Sequence, residues 1–188
     1  MSHQSRGLWG YTGETESGNA LTVQSTGAGG PAAVAVIGDL AGLGVERLVR
    51  LGTSVARRGE HSPGDVLLVE RAISRDGAGL RLASDGDDAT PDAELLARLD
   101  GLASRTAVSS HDFVSRFDPD GPAPAAGASA RDLQTAAMLA FSRRIGIAAA
   151  AVLVVSGDES GETLTESELE ETFTETGRKI VAALAETA

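Results

Sequence analysis

The sequence predicts an α/β fold of three layers, a mixed central sheet flanked by helices on both faces. Three observations lead there. Apolar residues make up 41% of the chain but aromatics only 3%, so the core is aliphatic, which suits parallel strands covered by helices. Short β-like runs alternate with Ala/Val/Leu-rich helical runs, separated by glycine and proline. One hairpin stands beside a strand–loop–helix–strand unit, which makes the pairing mixed.

The elements follow in order. Residues 8–14 and 20–26 are β-like and flank the polar turn Thr15-Glu-Ser-Gly-Asn19, which predicts a hairpin. Pro31 suits a first helical turn, and a helix follows over 32–43, stopped by Gly44. Val45–Leu51 reads as a strand ending at Gly52, parallel to the one before the helix. Pro63-Gly64-Asp65 is a turn, and Val66–Ile73 is the next strand. The acidic stretch 83–90 reads as a loop, with Thr90 capping a helix that starts at Pro91 and runs to about Leu99. Arg105–Ser109 is a short strand, 118–130 a Pro/Gly/Ala loop, and 131–145 a helix stopped by Gly146. Ala148–Val155 is the candidate central strand. Thr165 and Glu168 have capping-box spacing before a last helix reaching about Leu184.

The 188 residues suffice for one domain with one core. With no cysteine, disulfides, thiolate catalysis and Cys-ligated zinc are excluded. A net charge of −11 argues against a nucleic-acid partner but not against a small phosphate ligand held by local arginines. No apolar run reaches the ~18 residues of a membrane span, and the first residues lack an apolar signal core, so a cytoplasmic location is expected. His3, His61 and His111 have no metal-ligand spacing, so no metal is expected. His61 reads as solvated, Phe141 as core, and Glu166–Glu171 as an acidic helix start favoured by the dipole.

Two segments carry chemistry. Thr26-Gly-Ala-Gly-Gly-Pro31 lies between a strand and a helix, where glycines let backbone N–H groups approach an anion. Its spacing does not complete the dinucleotide fingerprint, and a tight turn needing positive φ is the alternative reading. Arg50-Leu-Gly-Thr53 falls at an expected strand end, where open α/β sheets bind ligands. Arginine can grip phosphate with two charged hydrogen bonds, and threonine can add a hydroxyl; an exposed arginine beside a strand-ending Gly-Thr is the alternative.

These segments occur in a larger series. Ser25–Pro31, Leu43–Thr53 and Pro63–Val69 are followed by Ser109-Ser-His-Asp-Phe113, Asp132-Leu-Gln-Thr-Ala136 and Val154-Val-Ser-Gly-Asp158. In order and spacing the series resembles the nucleoside phosphorylase superfamily, of the uridine phosphorylase and hexameric purine nucleoside phosphorylase type. The resemblance covers the chain from Arg6 onward. It implies a phosphorylase-like fold over residues 1–188, without the family's opening strand and Gly-Asp-Pro-x-Arg loop. It implies phosphate binding by Arg50, Gly52 and Thr53, and by an Arg6 lent from a neighbouring subunit. Phe113 would pack against base or sugar. Leu133 and Gln134 occupy the family's Met-Glu position, at which Glu holds the ribose hydroxyls, and Asp158 lies near the Ser-Asp that assists purine departure. Arg116 is the nearest counterpart to the base-reading residues of the uridine branch.

The activity so implied is cleavage of a nucleoside's N-glycosidic bond by phosphate, giving base and pentose 1-phosphate. Inorganic phosphate is co-substrate and no cofactor is implied. The resemblance also implies a homo-oligomer, a dimer or a trimer of dimers. Two alternatives stay open: a catalytically degenerate homologue that binds nucleoside or phosphate, and a nucleosidase using water.

Overall fold

The computed structural model describes residues 2–5, 7–15, 17–83, 88–112 and 123–185. Arg6, Phe113 and Arg116, each given an expected role above, lie outside the described residues.

The elements are β1 (Ser2–Ser5), β2 (Leu8–Glu14), β3 (Ala20–Gln24), α1 (Gly30–Gly42), β4 (Arg47–Ala56), β5 (Val66–Arg75), α2 (Gly77–Leu82), β6 (Asp88–Ala89), α3 (Ala93–Arg98), β7 (Ser104–His111), β8 (Ala130–Asp132), α4 (Thr135–Ile145), β9 (Ala148–Asp158) and α5 (Glu166–Ala185). The expected hairpin is present, with Tyr11 opposite Val23 and Glu14 opposite Ala20. It belongs to a separate three-stranded antiparallel sheet, β1-β2-β3. The main sheet runs β6-β5-β7-β8-β4-β9, and β9 pairs back onto β5. There Val66, Leu67 and Leu68 lie opposite Val154, Leu153 and Val152, so five strands close into a ring. Strands β5, β7 and β8 are mutually parallel; β4 and β9 are parallel to each other and run the opposite way.

Helices cover both faces, and β9 shows why. Its side chains alternate faces. Ala149, Ala151, Leu153 and Val155 pack with Ile37 of α1 and Met138, Leu139 and Ala140 of α4. Ala150 and Val152 pack with Leu95 of α3, Leu99 and Ile180 of α5. A strand buried on both faces needs no polar alternation, which is why 148–155 is one apolar run. Each fully buried Leu or Val there contributes ~1.5–3 kcal/mol relative to exposure.

Four expectations are corrected. The strands flanking α1 are not a parallel pair, because β3 belongs to the small sheet while both edges of β4 are taken by β8 and β9. Strand β4 does not stop at Gly52 but continues to Ala56, with Gly52 opposite Leu153 and Thr53 opposite Val154. The helix expected from 131 begins at Thr135, after the short strand β8. The cap of α3 is Asp92, whose Oδ1 accepts from Leu95 N at 2.9 Å, rather than Thr90. Four elements were not anticipated: β1, α2 and the short strands β6 and β8. Two glycines among the six residues of α2 hide it from propensity.

Candidate active site

In α/β proteins, ligand sites collect beyond the carboxyl ends of parallel strands, in open sheets and closed barrels alike. Three such ends converge here, and each delivers an aspartate. Asp76 follows β5, Asp112 follows β7, and Asp132 ends β8. Asp76 is almost fully buried and caps α2, accepting from Gly79 N at 2.8 Å. Asp112 Oδ1 accepts from Gly77 N at 2.9 Å. Asp132, also buried, accepts from Ser110 Oγ at 2.5 Å, from Thr135 Oγ1 at 2.5 Å and from Thr135 N at 3.0 Å. It thereby joins β7 to the start of α4.

Arg50 enters this cluster from β4. Its Nη2 lies 3.3 Å from Asp132 Oδ2, with the arginine side chain 12% exposed and the aspartate side chain at 0%. Because β4 runs against β8, Arg50 reaches Asp132 from the amino-terminal half of its strand, not from the expected carboxyl end. The guanidinium lies over Gly52, where a Cβ would fall 1.9 Å from Nη1. This is a close approach that only glycine permits. Nε and Nη1 are buried and have no acceptor among the described residues. Burial pulls the Arg50 guanidinium below its ordinary value, and Asp132 opposes that pull.

The glycine loop closes over the same corner. Gly29 has φ +87°, in the region that favours glycine. Its N–H donates to Gln134 Oε1 at 3.0 Å, and Gln134 Nε2 donates to Thr26 Oγ1 at 3.0 Å. Gly30, the first residue of α1, is wedged so tightly that a Cβ would sit 2.7 Å from Asp76 Oδ2 and 2.9 Å from Ala137 Cβ. The starts of α1, α2 and α4 thus meet at one point. Burial raises the Asp76 carboxyl above its ordinary value, and Asp112 and Asp132 add to that against the Gly79 N–H. His111, whose Nε2 is 2.9 Å from Ser109 Oγ, is lowered by burial first and then by Arg131.

The structure therefore brings Arg50, Gly52, Gln134 and the Thr26–Pro31 loop together. Leu133 lies between Asp132 and Gln134 and is partly exposed. Thr53, three residues from Arg50, projects from the opposite face of β4 and is exposed. Asp158 is placed elsewhere. It ends β9 opposite Ala56, six residues along β4 from Arg50, or roughly 20 Å of strand. Its Oδ1 accepts from Ser160 Oγ at 2.6 Å, Ser160 N at 2.8 Å and Glu162 N at 3.2 Å, closing its own turn. The bond from the Ser160 hydroxyl is the main reason its carboxyl sits below the ordinary value.

Sequence reasoning quoted Asp132 and Ser110 in motifs but gave them no role, and it missed Asp76. A signal existed for both aspartates: an Asp at a strand's end, three residues before a helical N–H it can cap. Among the described residues, no group of three or more His, Cys, Asp or Glu is placed to hold a metal ion.

A sequence model of the Phosphorylase superfamily matches residues 2–188. The chain belongs to the phosphorylase superfamily. A guanosine phosphorylase from Halorubrum lacusprofundi is 30% identical over 150 residues, 75% of this chain and 62% of that protein. A DeoD-type purine nucleoside phosphorylase from a Geobacillus species is 33% identical over 182 residues, 90% of this chain and 77% of its own length. Uridine phosphorylase from Salmonella typhimurium is 39% identical over a shorter 66 residues, 35% of this chain and 26% of that protein. Among solved structures, purine nucleoside phosphorylase from Toxoplasma gondii, in complex with immucillin-H, superposes with a TM-score of 0.84. It covers 98% of this chain and 81% of its own, at 20% identity, which establishes the shared fold. This phosphorylase-superfamily chain thus spans 62% of the length of the halophile relative and 77% of the Geobacillus one.

Proposed function

We propose that the protein is a nucleoside phosphorylase that cleaves the N-glycosidic bond of a nucleoside with inorganic phosphate, giving free base and pentose 1-phosphate. The observation that carries this is Arg50: a buried guanidinium, seated on glycine, with two nitrogens lacking an acceptor among the described residues. A phosphate oxygen is the natural acceptor for such donors, and a charged hydrogen bond there contributes ~1.5–3 kcal/mol. As the glycosidic bond breaks, positive charge grows on the ribosyl carbon. Phosphate held by Arg50 would stabilise that charge, so catalysis is mainly positioning and electrostatics. Phosphate serves as co-substrate, with no further cofactor. The two longest alignments described above are to purine enzymes, so guanosine and inosine head the substrate panel.

Self-association is part of the reading. Trp9 and Tyr11 share one face of β2, Val23 lies opposite Tyr11, and the three are 59–61% exposed. A second copy packed on that strip would bury them. Sedimentation of an active protein should show at least a dimer, and a fully active monomer would contradict it.

A second reading is favoured by Gln134. Both polar ends of its amide are engaged by Thr26 and Gly29, and it carries no charge. A side chain so used fits a homologue that binds nucleoside or phosphate without turnover. The deciding experiment assays a nucleoside panel with and without phosphate, in wild type and Arg50→Ala. Phosphate-dependent release of base, lost in the variant, supports phosphorolysis. Phosphate binding with no turnover supports the binder. Turnover that ignores both phosphate and Arg50→Ala points to hydrolysis and ends the phosphorolysis reading.

A further inference from the structure

We infer that Asp132 is a positioning residue, one that fixes the Arg50 guanidinium for phosphate without touching the phosphate itself; the inference rests on the phosphate reading above. Four groups meet the Asp132 carboxylate. Ser110 Oγ, Thr135 Oγ1 and Thr135 N donate hydrogen bonds, and Arg50 Nη2 makes the ion pair. Three of the four are neutral donors from β7 and α4, so the carboxylate is held in place whether or not Arg50 is there. Ser110 Oγ is itself fixed, because it accepts from Ala136 N at 2.9 Å. The guanidinium is then located from two sides: Asp132 takes its Nη2 end, and the absence of a side chain at Gly52 gives it a seat. Nε and Nη1 remain as its donors. An arginine fixed beforehand loses less freedom when it binds an anion.

A competing effect must be weighed. The negative charge of Asp132 repels an anion as well as holding the arginine. The attraction acts at 3.3 Å, whereas an anion on Nε or Nη1 lies across the width of the guanidinium from Asp132. The nearer interaction dominates. Burial also disfavours the charged form of Arg50, with Asp132 the group that opposes it. Removing the aspartate would leave an uncompensated buried cation that is better solvated by swinging away.

Titration of the full chain with inorganic phosphate at fixed ionic strength, followed calorimetrically, tests this with four proteins. Asp132→Asn deletes the charge and keeps one side-chain oxygen for Thr135, with its amide nitrogen turned to Ser110 Oγ, a hydroxyl that can accept as well as donate. Thr135→Val removes only the hydroxyl that holds the carboxylate. Arg50→Ala should abolish binding. Asp132→Asn should weaken it by about tenfold or more, the order of one charge-assisted hydrogen bond. Thr135→Val should weaken it by a smaller factor, roughly two- to fivefold. In the assay, the KM for phosphate should rise in the same order while kcat at saturating phosphate changes far less. Loss of a merely structural anchor would not produce that split. If Asp132→Asn fails to fold by circular dichroism, Thr135→Val and Ser110→Ala carry the test, and unchanged phosphate affinity in both overturns it. A folded Asp132→Asn that binds phosphate as tightly as wild type, or more tightly, also overturns it. Phosphate binding that survives Arg50→Ala removes the phosphate reading itself, and the inference with it.

Discussion

The two ends of the main sheet use the same residue type in opposite ways. At the end where β5, β7 and β8 finish, Asp132 binds groups from β7, α4 and β4, and Asp112 reaches a backbone N–H 35 residues away. At the end where β9 finishes, the hydrogen bonds of the Asp158 carboxylate stay within its own turn, to Ser160 and Glu162. Each aspartate follows a strand, and each caps something. The difference is which segments arrive. Three helix starts converge on the first end, pressed together at Gly30, so its carboxylates are drawn into long-range contacts. A carboxylate at a strand end becomes part of a site only where the fold brings other elements to it.

The comparison predicts a steep gradient of mutational effects. Asp132→Ala should be the most damaging change, because it leaves Arg50 buried without its carboxylate and takes the acceptor from Ser110 Oγ, Thr135 Oγ1 and Thr135 N. Breaking a buried pair in this way costs ~3–5 kcal/mol. Urea unfolding of Asp132→Ala beside Asp158→Ala measures the contrast, and midpoints displaced equally would break it. Gly52→Ala comes next. Its Cβ would overlap the guanidinium, so Arg50 must leave its seat. Overpacking of this kind costs ~1–3 kcal/mol, and phosphate affinity should fall with stability. Gln134→Ala should follow at ~1–2 kcal/mol, since it frees the Gly29 N–H and the Thr26 hydroxyl. Faster hydrogen exchange confined to the Thr26–Pro31 loop would locate that loss.

Legibility in the sequence follows the same division. Local signals were readable because they need only neighbours. The Thr165–Glu168 capping box is formed, with Glu168 Oε2 accepting from Thr165 N at 2.8 Å, and Gly146 ends α4 with φ +78°. The apolar run 148–155 is the two-faced strand it suggested. What depended on distant partners was hidden. Gly52 looked like a strand terminator because a glycine in a strand has several meanings; here it makes room for a side chain two residues away. The strand–helix–strand reading around α1 failed because the pairing partners of β4, at 130–131 and 148–158, cannot be seen from 47–56. The partners of Gln134, Gly29 and Thr26, lie 105 and 108 residues away in the glycine loop, out of reach of any local pattern. The order of motifs did carry the family, since order survives even where each motif's geometry cannot be read.

The finest test sets Asp76 against Asp158 by the sign of their pH dependence. Both start from an ordinary value of 3.8, and the fold moves them in opposite directions. Burial raises Asp76, so between its ordinary and folded values the native state holds the proton more tightly than the unfolded chain. Stability contributed by Asp76 is therefore full below its ordinary value and is lost as pH rises through the folded one. Asp158 is lowered by the Ser160 bonds, so its contribution is present above its ordinary value and is lost as pH falls through the folded one. Asparagine removes either titration while keeping a side-chain acceptor for the cap. The stability of wild type minus Asp76→Asn should thus fall as pH rises from about 3 to 7, and that of wild type minus Asp158→Asn should rise. The second slope should be the shallower, because solvent screens Asp158 while Asp76 is shielded beneath Gly30 and Gly79. Urea unfolding at several pH values gives both slopes. Two slopes of the same sign would show that the two ends of the sheet hold their carboxylates in the same way, and the contrast drawn here would fail.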